Sequence, residues 1–291
     1  MNPLLRSVLY VPASNERAMA KMKTLAADAV ILDLEDAVAS GDKEAARVSA
    51  AGATNERRFD HRYHIVRINS EDSAFFEDDM ALVARSNPDA ILVPKVSDAT
   101  SVVRLDALLK EYGSGASLWI MLETPGAFLN LREIAACAAQ TALGGMVVGA
   151  NDLAKETGMV IGKGRGTIIS ALMMTVFAAR AHGLVALDAV YNDFSDTEGF
   201  EVECGEGRDL GMDGKKLIHP VQIEAANRIF APQEDELARA RRIVEAFSLP
   251  ENETANVINL DGEMVERLHY QSAQALLEKQ HQIEASRDAR G

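Results

Sequence analysis

The 291-residue chain has only two cysteines, Cys137 and Cys204, and they lie too far apart for any metal-binding spacing. They read as reduced thiols of a cytoplasmic protein, not as a disulfide framework. No run of about 18 apolar residues occurs, so no membrane-spanning helix is expected. The opening MNPLLRSVLYVPAS has a short apolar stretch. Arg6 interrupts it and a strand-like pattern follows at once, so no signal peptide is expected either. Basic residues do not cluster: 30 Lys and Arg face 44 Asp and Glu, for a net charge of −14. That balance argues against nucleic acid or a membrane surface as partner. There is no G-x-G-x-x-G after the first strand-like run, no P-loop and no G-x-S-x-G. The histidines, His61, His64, His182, His219, His269 and His281, show no zinc-binding spacing.

What the chain does have is alternation. Eight short β-rich runs are each followed by a helical pattern: 7–12, 29–35, 64–69, 90–96, 118–124, 146–152, 185–191 and 215–220. Their apolar continuity suits a parallel sheet covered by helices. Eight such units predict a closed (β/α)8 barrel in preference to an open doubly wound sheet. Ser14 reads as the N-cap of the first helix, with Arg17 where a capping box would place Glu. Gly183 reads as the residue that ends the helix after 167. The barrel is expected over 1–231 and a helical extension or lid over 232–291. Within the extension, PENETANVINLDGEM reads as a polar link and the last ~25 residues as one amphipathic helix with a frayed tail.

Catalytic residues of such a barrel stand at the C-terminal ends of its strands. Those ends hold Asp33, Glu35 and Asp36, then Arg67 and Asn69, then Lys95, Glu123, Asn151 and Asp152, with His219 at the end of the eighth run. Clustered carboxylates at the end of a buried strand need a partner, because burying an unpaired charge is costly. Taken singly, Glu123 and Asp152 could cap a loop and a helix. Taken together, two carboxylates on neighbouring strands without Cys or His point to a hard cation, Mg2+ or Mn2+ in its place. Asp33, Glu35 and Asp36 would orient an arginine or metal-bound water, or else cap a helix and face solvent. Arg67 is either a fork for a substrate carboxylate or a partner for those acids, and the two roles can coexist. His219 reads as a rim residue.

Taken in order, RSVLYVPASNERAMAK, DAVILDLEDAV, VRINS, ILVPKV, MLETPGAF, VGANDLAKETG and GKKLIHPVQI resemble the citrate lyase beta-subunit family. That family belongs to the HpcH/HpaI aldolase superfamily and is similar to the malyl-CoA and citramalyl-CoA lyases. The resemblance runs from Arg6 to about residue 270. It implies a homotrimer or homohexamer, and Mg2+ on Glu123 and Asp152. It also implies Arg67 on the oxo-acid or thioester oxygens, Arg6 near the CoA phosphates or substrate, and Lys95 assisting. An aspartate from a neighbouring subunit, matching Asp261, would reach the site. The family's Asp-Gly-Lys-Met-Ile-Asp reads DGEMVE here, with Glu263 for the lysine and Glu266 for the second aspartate. The apolar stripe Met264, Leu268, Ala275 and Leu276 could dock on another barrel. The expected activity is Mg2+-dependent cleavage of a 3-hydroxyacyl-CoA into a 2-oxo acid and an acyl-CoA. The alternatives are hydrolysis of malyl-CoA at the same site, or service as the beta subunit of a multiprotein citrate lyase.

Overall fold

In the computed structural model, residues 3–56, 62–162 and 164–288 are described; His61 and the end of the expected frayed tail lie outside them. The chain divides into two compact units, Met1–Phe230 and Ala231–Gly291. Among the described residues no helix is long and apolar enough to cross a membrane.

The first unit is a closed parallel barrel of eight strands in chain order. They are β1 (Ser7–Pro12), β2 (Ala29–Asp33), β3 (Tyr63–Arg67), β4 (Ala90–Val93), β5 (Ser117–Leu122), β6 (Leu143–Val148), β7 (Val185–Asp188) and β8 (Gly214–Leu217). The pairing of β8 with β1 closes the ring. Alternation along each strand sorts side chains into two cores. Val8, Ala29, Ile31, Ile65, Leu92, Trp119, Met121, Val147 and Leu187 fill the barrel interior. Leu9, Val30, Leu32, Val66, Ile91, Ile120, Val148 and Ala186 pack outward among the apolar residues of the helices. Trp119 is accommodated because β6 offers Gly145 beside it; a Cβ there would lie 2.5 Å from the indole.

The same alternation aims the last residues of the strands at the mouth. Tyr10 follows Val8, Asp33 follows Ile31, Arg67 follows Ile65, and Glu123 follows Met121. Several strands end earlier than the sequence pattern predicts, because their final polar residues leave the ladder. The Asp33 side chain itself accepts the N–H groups of Glu35 and Ala37 at 3.0 and 3.2 Å, which turns the chain out of β2. β6 ends at Val148, so Asn151 and Asp152 stand in the first turn of a helix, Ala150–Thr157, and not on a strand end. Asn15, not Ser14, caps the first helix, accepting from Ala18 N–H. Gly183 ends helix Ile169–His182 at φ 69, as expected.

Outside the barrel wall lies a buried ionic cluster. Asp188, at the end of β7, accepts from Arg165 at 2.8 and 2.9 Å and from Lys215 of β8 at 3.0 Å. Lys215 also reaches Glu203 at 2.7 Å, on helix Thr197–Asp209. Gly207 lets that helix approach, since a Cβ there would lie 2.5 Å from the Asp188 carboxylate.

The second unit holds helix Glu234–Phe247, an antiparallel hairpin of β9 (Val257–Leu260) and β10 (Glu263–Glu266), and helix Arg267–Asp288. The expected polar link is therefore mostly a hairpin. Its inward residues Ile258 and Val265 join Ala240, Ile243, Phe247 and Ala273 in a separate small core.

The Asp188 cluster generates a stability prediction. Burial pushes the Asp188 carboxyl up, but the Lys215 and Arg165 charges outweigh it and hold it below its ordinary 3.8. Asp33 is held below 3.8 in the same way by Arg67. A carboxyl depressed in the folded state stabilises it above the unfolded carboxylate range, and that contribution is lost as pH falls through the folded value. Thermal melts should therefore show stability falling steeply below about pH 4. Asp188→Asn leaves two buried cations undercompensated; it should cost ~3–5 kcal/mol and lower the neutral-pH melting temperature by roughly 10 °C.

Candidate active site

The acids of AVILDLEDAV find their cation in the next strand. The register places Asp33 of β2 directly beside Arg67 of β3. Arg67 Nε and Nη2 meet the two Asp33 oxygens, both at 2.7 Å. Its Nη1 faces Glu35 at 2.8 Å and Asp36 at 3.3 Å. The Tyr10 ring lies 4.9 Å from the guanidinium carbon. Asp36 is largely exposed, whereas Arg67, Asp33 and Glu35 are buried. Burial raises the Glu35 carboxyl above its usual range despite Arg67. The Arg67 fork is thus engaged by protein carboxylates, chiefly Asp33. Lys43, on helix Lys43–Asn55, straps the loop after β2. Its Nζ donates to Leu34 O, Glu35 O and Asn69 Oδ1 at 2.7, 2.7 and 2.8 Å.

Glu123 is the reverse case. It is 1% exposed. One oxygen, Oε1, accepts the Lys95 backbone N–H at 2.8 Å; the other, Oε2, is buried with no hydrogen-bond partner. Lys95 delivers that N–H from a left-handed backbone at φ 59, a conformation a non-glycine residue rarely holds without a local reason. Its half-exposed side chain reaches Glu35 at 3.4 Å. Gly149, after β6, supplies the room: a Cβ there would lie 2.3 Å from Oε2. Burial, then the charges of Glu35 and Asp152, push the Glu123 carboxyl up to about 7. Among the described residues no group of three or more His, Cys, Asp and Glu could cage a metal. A cation here would be held by Glu123 and Asp152, its other positions filled by water and substrate oxygens, as Mg2+ commonly is.

Two residues that the sequence did not single out complete the mouth. Lys216, on β8, pairs with Val8 and is 2% exposed. Its Nζ sits 5.7 Å from the Tyr10 ring and makes no hydrogen bond or ion pair with any described residue. Burial pushes it down to about 7, against the opposing pull of Glu123. The Tyr10 hydroxyl is likewise buried without a partner, and burial raises it far above its usual value. The signal that could have found both was strand parity: Tyr10 and Lys216 fall on inward positions that the apolar runs alone did not mark. Tyr10, Arg67, Met121, Asp152 and Lys216 border a cavity of about 330 Å³.

The remaining expected residues lie elsewhere. Arg6 precedes β1 at the opposite end of the barrel. There Nε and Nη2 grip Asp28 at 2.7 and 2.8 Å, and the side chain is buried. The N-terminal end of a strand cannot face the mouth, so Arg6 is a structural residue and not a substrate contact. His219 caps a short turn, accepting Val221 N–H at 3.2 Å on Nδ1, and its ring stacks on Phe194 at 4.6 Å. Asn69 is buried and accepts from Lys43. Asn151 exchanges hydrogen bonds with Asn192 at 2.8 and 3.3 Å. Asp261 sits at the turn of the second unit's hairpin at φ 54, exposed and ion-paired to Arg242.

The family model for HpcH/HpaI aldolase/citrate lyase matches residues 6–220. The chain belongs to this family. A (3S)-malyl-CoA thioesterase of Cereibacter sphaeroides is 44% identical over 282 residues, covering 97% of this chain and 96% of that protein. An L-malyl-CoA/beta-methylmalyl-CoA lyase of Rhodobacter capsulatus is 32% identical over 300 residues, 94% of each. The crystal structure of CitE from Mycobacterium tuberculosis in complex with magnesium, acetoacetate and coenzyme A superposes with a TM-score of 0.76 at 29% identity. That match covers 96% of this chain and 97% of CitE. HpcH/HpaI membership makes the barrel mouth that of an enzyme family.

Glu123 makes a prediction independent of turnover. A carboxyl raised to about 7 in the folded state burdens the metal-free protein as pH rises from its unfolded value of 4.5 through 7. The burden is on the order of 3 kcal/mol. Glu123→Gln should therefore raise the melting temperature of the metal-free protein at pH 8. It should also abolish the rise that Mg2+ gives the wild type.

Proposed function

We propose that this enzyme hydrolyses the coenzyme A thioester of a small 3-hydroxy acid carrying a carboxylate, with (3S)-malyl-CoA as the model substrate. Mg2+, or Mn2+ in its place, would be held by Glu123 and Asp152. The observation that carries this reading is the whole-length likeness to a (3S)-malyl-CoA thioesterase at 44% identity. The buried, unpartnered Glu123 oxygen supports the metal assignment. The initial expectation of carbon–carbon cleavage remains as a second reading, favoured by the lyase relative at 32%.

When bound, the metal supplies Lewis-acid polarisation and orients the substrate oxygens. The chain's own residues do the rest. Arg67, locked by Asp33 and Glu35, presents a fixed positive field where negative charge develops on the thioester oxygen. Lys95 holds Glu123 in place through its backbone. In hydrolysis, water oxygen bonds to the thioester carbon, the carbon–sulfur bond breaks, and the water proton passes by way of a carboxylate to the departing thiolate. Asp261 of an adjacent subunit in a homotrimer or homohexamer is our candidate for that carboxylate. Its exposed position at a hairpin turn is what supports it.

Product analysis decides between the readings. Pure protein with Mg2+ and malyl-CoA should release free CoA and the hydroxy acid; acetyl-CoA and a 2-oxo acid would establish the lyase instead. Exhaustive chelation should abolish either activity, and undiminished turnover would remove the metal from the scheme. For Asp261, inactive Asp261→Ala chains are mixed with inactive Glu123→Ala chains. Activity should return after subunit exchange. Full activity of Asp261→Ala alone ends its role.

A further inference from the structure

We propose that Lys216 is the residue that recognises the terminal carboxylate of the acyl group, and so selects acid-ended acyl chains. This rests on the thioester reading above and deepens it.

Three observations converge. First, the expected carboxylate receptor, Arg67, already spends its fork on Asp33 and its Nη1 on Glu35 and Asp36. Lys95 is half exposed and directed to Glu35. Second, Lys216 is 2% exposed yet its ammonium has no hydrogen-bond or ion-pair partner among the described residues. A buried cation without a hydrogen-bond partner is costly unless a ligand supplies one. Third, its place is deep. Lys216 pairs with Val8, one inward position below Tyr10, and borders the cavity from beneath.

Depth decides which end of the substrate it meets. A cavity of about 330 Å³ takes a small acid but not coenzyme A. The coenzyme must stay at the open mouth, with the thioester next to it. Only the far end of the acyl chain can descend to Lys216. There the Tyr10 hydroxyl, also buried and unpartnered, offers a second donor. A carboxylate satisfies both groups; a methyl group in its place leaves both unpaired. Rejection of the neutral analogue then follows from the empty hydrogen bonds and not from size.

The test compares wild type with Lys216→Met and Lys216→Arg on two thioesters, malyl-CoA and 3-hydroxybutyryl-CoA, which ends in methyl. Methionine keeps most of the unbranched length and removes a buried charge, so the fold should survive; thermal melts verify it. Lys216→Met should lower kcat/KM on malyl-CoA by about 100-fold, the worth of a charge-assisted hydrogen bond, and change the methyl analogue by less than about threefold. Lys216→Arg should recover part of the loss. Calorimetry with Mg2+ present should show malate binding weakened at least ~30-fold in Lys216→Met, with CoA binding unchanged. Equal losses on both thioesters would move Lys216 to the thioester end and overturn the proposal, as would malate binding unaffected by the substitution. If wild type yields acetyl-CoA, the hydrolysis reading fails, but the contrast between the two substrates still judges Lys216. If wild type turns over neither thioester, malate binding alone judges it.

Discussion

The paired charges of Asp33 and Arg67 organise this molecule's mouth. They are neighbours because β2 and β3 run parallel in register, and because both fall on inward positions. Their mutual neutralisation lets a guanidinium and carboxylates sit at the end of an apolar barrel at tolerable cost. Glu35, Asp36, Tyr10 and the Lys43-strapped loop are arranged around that pair. The result is a rigid, charge-paired arrangement in which the guanidinium's donors are mostly spent.

Beside it stands a deliberately incomplete set. Glu123 Oε2 and the Tyr10 hydroxyl are buried without hydrogen-bond partners, and Lys216, 2% exposed on the cavity wall, makes no hydrogen bond or ion pair among the described residues. Natural interiors satisfy nearly all such groups, so a cluster of exceptions marks a place that awaits ligands. The strained Lys95 backbone and the missing side chain at Gly149 both serve to hold Glu123 in this state. Stability is recovered elsewhere, in the apolar double core and in the ionic cluster outside the barrel wall, where Asp188 and Glu203 together balance Lys215 and Arg165.

Two adjacent lysines show how position governs role. Lys215 and Lys216 follow one another on β8, yet one points out to Asp188 and Glu203 and the other in toward Tyr10. A one-residue change of register would exchange them. The outward lysine completes a structural ion cluster, whereas the inward one is left for a ligand.

By itself the sequence determined the architecture. Eight apolar runs with helical spacers favour a closed parallel sheet over an open one, and the polar residues at the run ends point to the mouth, because chain direction assigns every strand the same exit. Asp33, Arg67, Glu123 and Asp152 were legible on that ground, and Gly183 as a helix end from its backbone freedom. Only the tertiary structure decided what each charge touches. It placed Arg6 on Asp28 at the far end, closed the Arg67 fork on Asp33, moved Asp152 onto a helix, and folded the polar link after 250 into a hairpin. Linear spacing does not encode which side chains meet across strands; that depends on register, on barrel closure, and on the room that glycines such as Gly149 leave by lacking a Cβ. Lys216 went unseen for the same reason, since its meaning lies in the partner it lacks.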